Sequence, residues 1–527
     1  MGSILRAAAV ASVLSLGALQ APASAQTLTM AVGAPVTSLD PHFHQLSPNN
    51  AAASMIFSRL VETDEHARNI PGLAESWRVV EPTVWEFKLR PGVRFHNGRE
   101  FTAEDVAFTF ARVPNVPNSP ASFTLFVRPI VQVEIVDPLT VRLHTRTPYP
   151  LLPMDLTNIF ILDRETHEGA TTERFNSGEL AIGTGPFRLL RHANGDRIEL
   201  ERNDNFYGER PAFARVNYRM ITNDGARTAA LLAGDVDVID QVPTADLARV
   251  RRDTRLSLYE TTGLRLIFLS LDHSRDDATP FVTDNDGKPI SPNPLRDVRV
   301  RRALSMAIDR AAIVERVMEG AATPTGQFLA EGVTSHIPGF PTPRYDTDGA
   351  RRLLAEAGFP NGFRITLHGP NDRYPNDGRI IQAVGQMWTR AGLRTTVEAQ
   401  TWATFIGRAA RAEFSSFLVG WGMNPDGSHP LRNLIACPNR DTGLGASNRG
   451  RYCNPELDRG LAESSQMLDE AARQERLIAL ERTALEDVAL IPLHIQTNIW
   501  AARRGFVVTP RADELTRAQD VRPAAAR

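Results

Sequence analysis

The sequence predicts an α/β protein with more than one hydrophobic core, and three observations carry that prediction. Its 527 residues are too many for one core, since cores stop growing near about 250–300 residues. Short apolar alternations of strand period recur from Leu28 to Trp500, interleaved with amphipathic stretches of helical period. Between Phe363 and Val397 the order is strand, helix, strand: Phe363, Ile365 and Leu367 alternate, Ile380 to Ala391 reads as a helix stopped by Gly392, and Leu393 to Val397 alternates again. A connection of that length is a right-handed crossover and forces a parallel pair.

The chain opens with Arg6, an apolar run from Ala7 to Leu19 and Ala23-Ser24-Ala25. This is the pattern of a cleavable secretory signal peptide over residues 1–25, too short in its apolar part to span a bilayer. No cysteine lies near the cut to carry a lipid anchor. A first strand is expected at Leu28 to Val32, a turn at Ser38-Leu39-Asp40-Pro41 and a helix over Ala51 to Val61. Thr83 to Arg112 is the most instructive stretch. Trp85, Phe87 and Leu89 alternate with charged residues, Pro91-Gly92 interrupts, and Val93 and Phe95 resume as a second strand. Asn97-Gly98 suits a tight turn, and Thr102 with Asp105 opens a helix that carries Val106 and Phe110 on its apolar face. Val131 to Val136 and Thr140 to Leu143 form a hairpin about Asp137-Pro138.

Ile198 to Glu201 reads as a strand, Ala226 to Ala233 as a helix ended by Gly234, Val236 to Ile239 and Leu266 to Leu271 as buried strands. The polar segment Asp272 to Pro294 is expected to be an exposed loop and hinge; its Asp284-Asn285-Asp286-Gly287 lacks the closing glutamate of a calcium loop, having Leu295 there. In the second half Val300, Leu304, Ala307 and Ile308 share a helix face, Asp309 caps another helix, and Asp346 to Ala357 is a third. Two helical runs from Pro455 to Val488, a strand from Leu493 to Trp500 and a loosely ordered polar tail after Pro510 complete the chain.

Composition narrows the function. A formal net charge of −2 from 59 basic and 61 acidic residues, interspersed, favours neither nucleic acid nor an anionic membrane. Secretory context makes a disulfide between the two cysteines, Cys437 and Cys453, the expected state, with two free thiols the alternative. A secreted hydrolase would need a Gly-x-Ser-x-Gly elbow, a His-Glu-x-x-His helix or a paired cysteine nucleophile, and none is present. Gly183-Thr184-Gly185 has no Gly-Lys-Ser/Thr to make it a phosphate loop. No cofactor is expected. His42 and His44, flanking Phe43, are weak candidates for a transition metal, against a pair of ordinary loop histidines.

Thr83 to Val106 closely resembles the signature W-x-F-x-L-R-x-G-V-x-F-H-x-G-x-x-x-T-A-E-D-V of solute-binding proteins of peptide/nickel-type ABC importers (the oligopeptide- and dipeptide-binding, extracellular family 5 type), and GTGPF, RNDNFYG, VRRALSMAIDR, YDTDGARRLLAEAGFPNGF and RYCNPELD extend the likeness over the mature chain. The resemblance implies a two-lobed periplasmic binding protein fold of type II, in the large cluster with an extra subdomain. Residues 26–70, 183–272 and 493–527 would build a discontinuous first lobe, 71–182 the extra subdomain and 273–492 the second lobe. It further implies a monomer in the periplasm that captures a peptide, or a nickel chelate, opine, oligosaccharide, haem or glutathione, and delivers it to a membrane permease and its ATPase, with no catalysis.

The resemblance also places candidate ligand residues. Gln45 and Ser47 follow the Leu-Asp-Pro corner that lines the family's cleft, and Gln496 matches a position on the last strand. Arg265, entering a strand, could take a carboxylate. Trp421 lies at a strand end, where open α/β sheets present ligands, and Trp402, Trp421 and Trp500 would suit stacking on a sugar. Peptide binders carry an aspartate three residues after that tryptophan for the α-ammonium. Here the position is Asn424, and Asp426 is the alternative partner.

Overall fold

Two long strands, Leu256–Leu271 and Ile491–Arg503, run antiparallel along one another in the computed structural model, which describes residues 27–120, 122–439 and 442–525. The signal peptide expected over residues 1–25 lies outside the described residues. This pair is the middle of a 12-stranded sheet. On one side follow Val238–Ile239, Thr27–Val32, Arg215–Met220, Arg197–Arg202 and Phe187–Ala193; on the other, Ser416–Gly422, Arg364–Pro370 and Val282–Thr283. The first group builds one lobe and the second group the other, so both lobes hang on the same two strands.

The strands change lobes at a bulge. Register shifts between Thr262 and Leu266, and a side chain at Gly263 would meet the Gln496 carbonyl oxygen at 2.7 Å, so only glycine allows the close approach. The crossing therefore lies inside the sheet and not in the polar segment 272–294 suggested by composition. That segment is tied down: Val282–Thr283 pairs with Arg364 and Ile365 at the sheet edge, and the buried Asp272 accepts bonds from Ser274, Arg275 and Thr279.

In the second lobe the alternation of apolar residues is resolved onto two faces. Leu266, Phe268, Phe417 and Val419 join one core with Phe405 and Leu477, whereas Ile267, Leu269 and Leu418 join another with Ile365, Leu367 and Trp388. Helices therefore cover both faces, as a buried parallel sheet requires. The crossover is right: Arg364–Pro370 and Arg394–Gln400 pair in parallel with helix Asp377–Arg390 between them. The Cys437–Cys453 disulfide is formed, closing a loop of 16 residues' separation.

A four-stranded antiparallel sheet, Ala74–Glu81, Val84–Leu89, Thr140–Thr145 and Ile130–Asp137, forms the extra subdomain around Phe87, Phe95, Phe101 and Leu143. Helix Ala103–Arg112 opens with the expected capping box, Asp105 accepting from the Thr102 amide at 2.8 Å. Val93 and Phe95 are buried, yet they build no second strand; Arg94 and Glu100 form only an isolated bridge about the Asn97-Gly98 turn. The signature's histidine explains why the stretch is rich in instruction. His96 donates its amide to the Gly183 carbonyl (2.8 Å) and its Nε2–H to Gly185 (3.1 Å), while Nδ1 accepts the Gly183 amide (3.2 Å). Burial holds this ring neutral, its pKa down at about 4. Gly183 and Gly185 in turn pass against the backbone of Ile56, leaving no room for a Cβ. Residues 83–112 thus pin the subdomain to the first lobe.

Two further expectations need correction. The helix expected over Ala51 to Val61 runs from Ser47 to Ile56, because Phe57 turns extended and Val61 starts a strand. The tail after Pro510 is not loose: Ala518 and Val521 are buried in the first lobe, and Arg511 lies 2% exposed, bonded to Asp513 and to backbone oxygens of Thr63 and Asp64.

Two outcomes follow for stability. Gly183→Ala should cost about 1–3 kcal/mol through backbone overlap at Ile56, read as a lowered urea midpoint. Glu481, on helix Glu470–Glu486, accepts the Phe328 amide through Oε1 while Oε2 has no hydrogen-bond partner; burial pushes its pKa from 4.5 up to about 8. Between those two values the folded chain holds a proton that the unfolded chain releases. Wild-type stability should therefore fall relative to Glu481→Gln by about 1.4 kcal/mol per pH unit across that window. Parallel unfolding curves at pH 5, 6 and 7 would show no such coupling.

Candidate functional site

The two lobes and the subdomain enclose a chamber of about 540 Å³. The first lobe contributes the loop and helix start at Gln45 to Ala51, the subdomain Leu151 and Asp155, and the second lobe the ends of two strands and the loops after them, including Arg373, Trp421 and Arg449. The lobes also face one another away from the shared strands. Asn376 Nδ2 donates to Thr244 Oγ1 at 2.7 Å. In front, Arg432 of the second lobe faces Tyr149 and Asp155 of the subdomain, where the Tyr149 hydroxyl donates to Asp155 at 2.6 Å. Burial raises the Asp155 pKa to about 7, with Arg432 opposing.

Seven of the sequence-derived residues meet at this chamber: Gln45, Ser47, Arg265, Trp402, Trp421, Asn424 and Asp426. Gln496 does not; it lines a second chamber of about 930 Å³ behind, where its Oε1 has no hydrogen-bond partner. Position and availability differ, however. Arg265 is already engaged: its Nη2 lies 2.5 Å from Glu514 Oε1 and its Nε 3.3 Å from Oε2, and Ser47 donates to the same carboxylate at 2.9 Å. Asp426 is buried under a two-pronged bond from Arg473, 2.8 Å at each oxygen, and accepts from Ser428 as well. Burial alone would raise its pKa, but Arg473 and Ser428 reverse this and hold it below the usual carboxylate value. Asp426 thus lines the chamber with both of its oxygens already engaged inside the second lobe, which leaves it a poor substitute for an amine-binding aspartate. Asn424 faces the chamber with its Oδ1 accepting the Asp426 amide at 3.3 Å.

The aromatic candidates also separate. Trp402 stands edge-on to Tyr374 (5.9 Å between centroids), with the Arg373 guanidinium 5.6 Å over its ring. Trp421 is half-buried and donates Nε1–H to His429, whose pKa burial lowers to about 4. Trp500 is buried in the first-lobe core and bonds Thr516, so it offers no sugar-stacking face. His42 and His44 are not a metal pair. His42 is buried with Nε2 bonded to the Phe160 carbonyl and Nδ1 accepting from Arg112, and burial lowers its pKa to about 3; His44 reaches Thr37. Arg112 meanwhile clamps Asp40 of the Leu-Asp-Pro corner at 2.7 and 3.1 Å, so both groups hold the corner in place.

Sequence reasoning named none of six further charged residues that line the chamber: Asp155, Asp240, Arg373, Arg432, Arg449 and Glu514. Glu514 lies in the returning tail. Arg373 follows strand Arg364–Pro370, the end where α/β sheets present ligands, which was a usable signal. Arg449 precedes Cys453 in a loop. Among the described residues neither Arg373 nor Arg449 forms an ion pair; Arg373 is open to the cleft solvent against Tyr374 and Trp402, and Arg449 Nε is buried without a hydrogen bond. Burial lowers the pKa of each guanidinium; at Arg373 the nearby Arg265 adds to this, while Tyr374, Glu514 and Asp377 oppose it.

Known proteins share this architecture. A model of the bacterial extracellular solute-binding proteins, family 5, matches residues 69–442. The chain is 30% identical to the heme-binding protein A of Haemophilus influenzae over 79% of this chain and 77% of that one, and 27% identical to the dipeptide-binding protein of Escherichia coli over 94% and 95%. Its fold is similar to that of the periplasmic binding protein DppA from Helicobacter pylori in complex with the peptide STSA, at a TM-score of 0.78 and 20% identity over 94% of this chain and 98% of the other. It is also similar to NikZ from Campylobacter jejuni in complex with Ni(L-His), at a TM-score of 0.76 and 22% identity over 92% and 96%. With its two lobes, its extra subdomain and a family match over most of its length, the chain belongs to the bacterial extracellular solute-binding proteins, family 5.

Proposed function

We propose that this protein is the periplasmic substrate-binding component of an ABC importer, and that it captures a peptide or peptide-like solute by a carboxylate. The observation that carries the second half is the charge inventory of the chamber. Arg265 and Asp426 are neutralised from within and burial raises the pKa of the lining acids Asp155 and Asp240, whereas Arg373 and Arg449 form no ion pair among the described residues. A guanidinium binds a carboxylate through parallel N–H donors, and does so most strongly in an enclosed site. With Asn424 in place of a carboxylate, a free α-ammonium finds a weaker partner than a ligand acid does.

Binding needs no catalysis. Capture in an open form, closure about the bulge at Thr262 to Leu266 and burial of the ligand between lobes suffice, and the closed form would then dock on a membrane permease. The leader over residues 1–25 would be removed on export. No helix among the described residues is long and apolar enough to cross a membrane. The same two arginines suit haem, which presents two carboxylates; the 30% identity to a heme-binding relative favours that as the second reading.

Calorimetry with alanine dipeptide and tripeptide tests the primary reading. Free-acid peptides should bind, and amidating the C-terminus should weaken binding at least tenfold. Arg373→Gln should remove about 2–3 kcal/mol of binding free energy. Equal affinity for acid and amide would contradict the proposal. Asn424→Asp should tighten binding of free-amine peptides by about tenfold, as expected of a charge-assisted bond; unchanged affinity would mean that Asn424 does not meet the ammonium.

A further inference from the structure

The front chamber of about 540 Å³ and the back chamber of about 930 Å³ share one wall, formed by Asp240, Gln241, Arg265, Arg373, Tyr374 and Glu514. At its centre stands the Arg265–Glu514 ion pair, held at 2.5 and 3.3 Å and braced by Ser47 at 2.9 Å. Three features of the backbone aim this pair into the cleft. Arg265 sits at the bulge of the linking strand, where the register shifts between Thr262 and Leu266; bulges re-aim side chains beside sites. Glu514 and Gln241 both adopt left-handed backbone conformations, with φ of 61° and 45°, that side chains other than glycine and asparagine rarely take. Strain of that kind persists only where the surroundings enforce it, and it gathers at functional positions. Tyr374 closes the wall from the second lobe, fixed by its hydroxyl bond to the Gly420 carbonyl at 3.0 Å.

We infer that the Arg265–Glu514 ion pair is a partition that limits ligand length: a short ligand is confined to the front chamber, and the back chamber, with Gln496 and Asn376 on its walls, is space that a longer ligand would need. The pair is suited to that task because it is electrically neutral as a unit. It blocks the passage without adding a net charge that would repel or attract the ligand ends, and leaves recognition to Arg373 and Arg449. This inference rests on the reading of the cleft as the ligand site.

The test uses alanine peptides of two to six residues, titrated by calorimetry into the wild type and into Arg265→Ala/Glu514→Gly. The double substitution removes both charges together, so no unpaired ion is left, and glycine suits the left-handed backbone at residue 514. In the wild type, affinity should fall at least tenfold beyond a limiting length; in the variant that limit should move out by one residue or more. An unchanged length profile would overturn the partition. Should the double variant fail to fold, Glu514→Gly alone serves, with the same two outcomes. If wild type binds no peptide of the series, the peptide reading fails, and the partition is then judged by native mass spectrometry of the molecules that co-purify from the periplasm. Heavier ligands on the variant support it, and an identical mass distribution overturns it.

Discussion

Every part of this fold is referred to one pair of strands. Leu256–Leu271 and Ile491–Arg503 pair with each other and with strands of both lobes, so a shift of one lobe against the other bends the same ladder. At the bulge from Thr262 to Leu266, with Gly263 pressed against the Gln496 carbonyl, that ladder is interrupted, and a second register shift follows between Ile267 and Phe268. A cleft built over such a joint opens and closes by small changes at few residues. Asn376 to Thr244, a bridge across it, is a single polar contact that water can replace.

The cleft's chemistry follows from which of its charges the protein has already neutralised. Asp426 looks available in sequence but serves Arg473, and Arg265 looks available but serves Glu514. An ion pair of this kind fixes geometry more than it binds anything, since its partners have traded water for one another. Among the described residues two arginines of the chamber stay outside any ion pair: Arg373 against an aromatic wall and Arg449 with an unbonded Nε. The same logic removes His42 and His44 as metal ligands, because His42 is spent on holding the Asp40 corner with Arg112.

The secondary structure was largely legible because its signals are local. The Thr102–Asp105 capping box and the Gly234 helix stop depend on residues a few positions apart, and the parallel crossover between Phe363 and Val397 is built from three consecutive elements, each with its own periodicity. Seven of the eight proposed ligand residues also meet at one chamber, which the likeness to a known family made possible. What remained illegible was pairing over distance. Glu514 reaches Arg265 across 249 positions, and Arg473 reaches Asp426 across 47; no periodicity announces either bond. The tail after Pro510 was misread for the same reason. Its polar composition suggested solvent, whereas its arginines and acids are satisfied against one another and against the first lobe.

The central claim is that two unpartnered arginines make this cleft a trap for a carboxylate. Native mass spectrometry of the protein purified from its own periplasm, followed by identification of the released molecules, addresses it most directly. The account predicts organic acids: a ladder of free-acid peptides, or a single carboxylate-bearing solute. Release of a neutral sugar, or of a mass lost on nickel chelation and carrying no carboxylate, would contradict it.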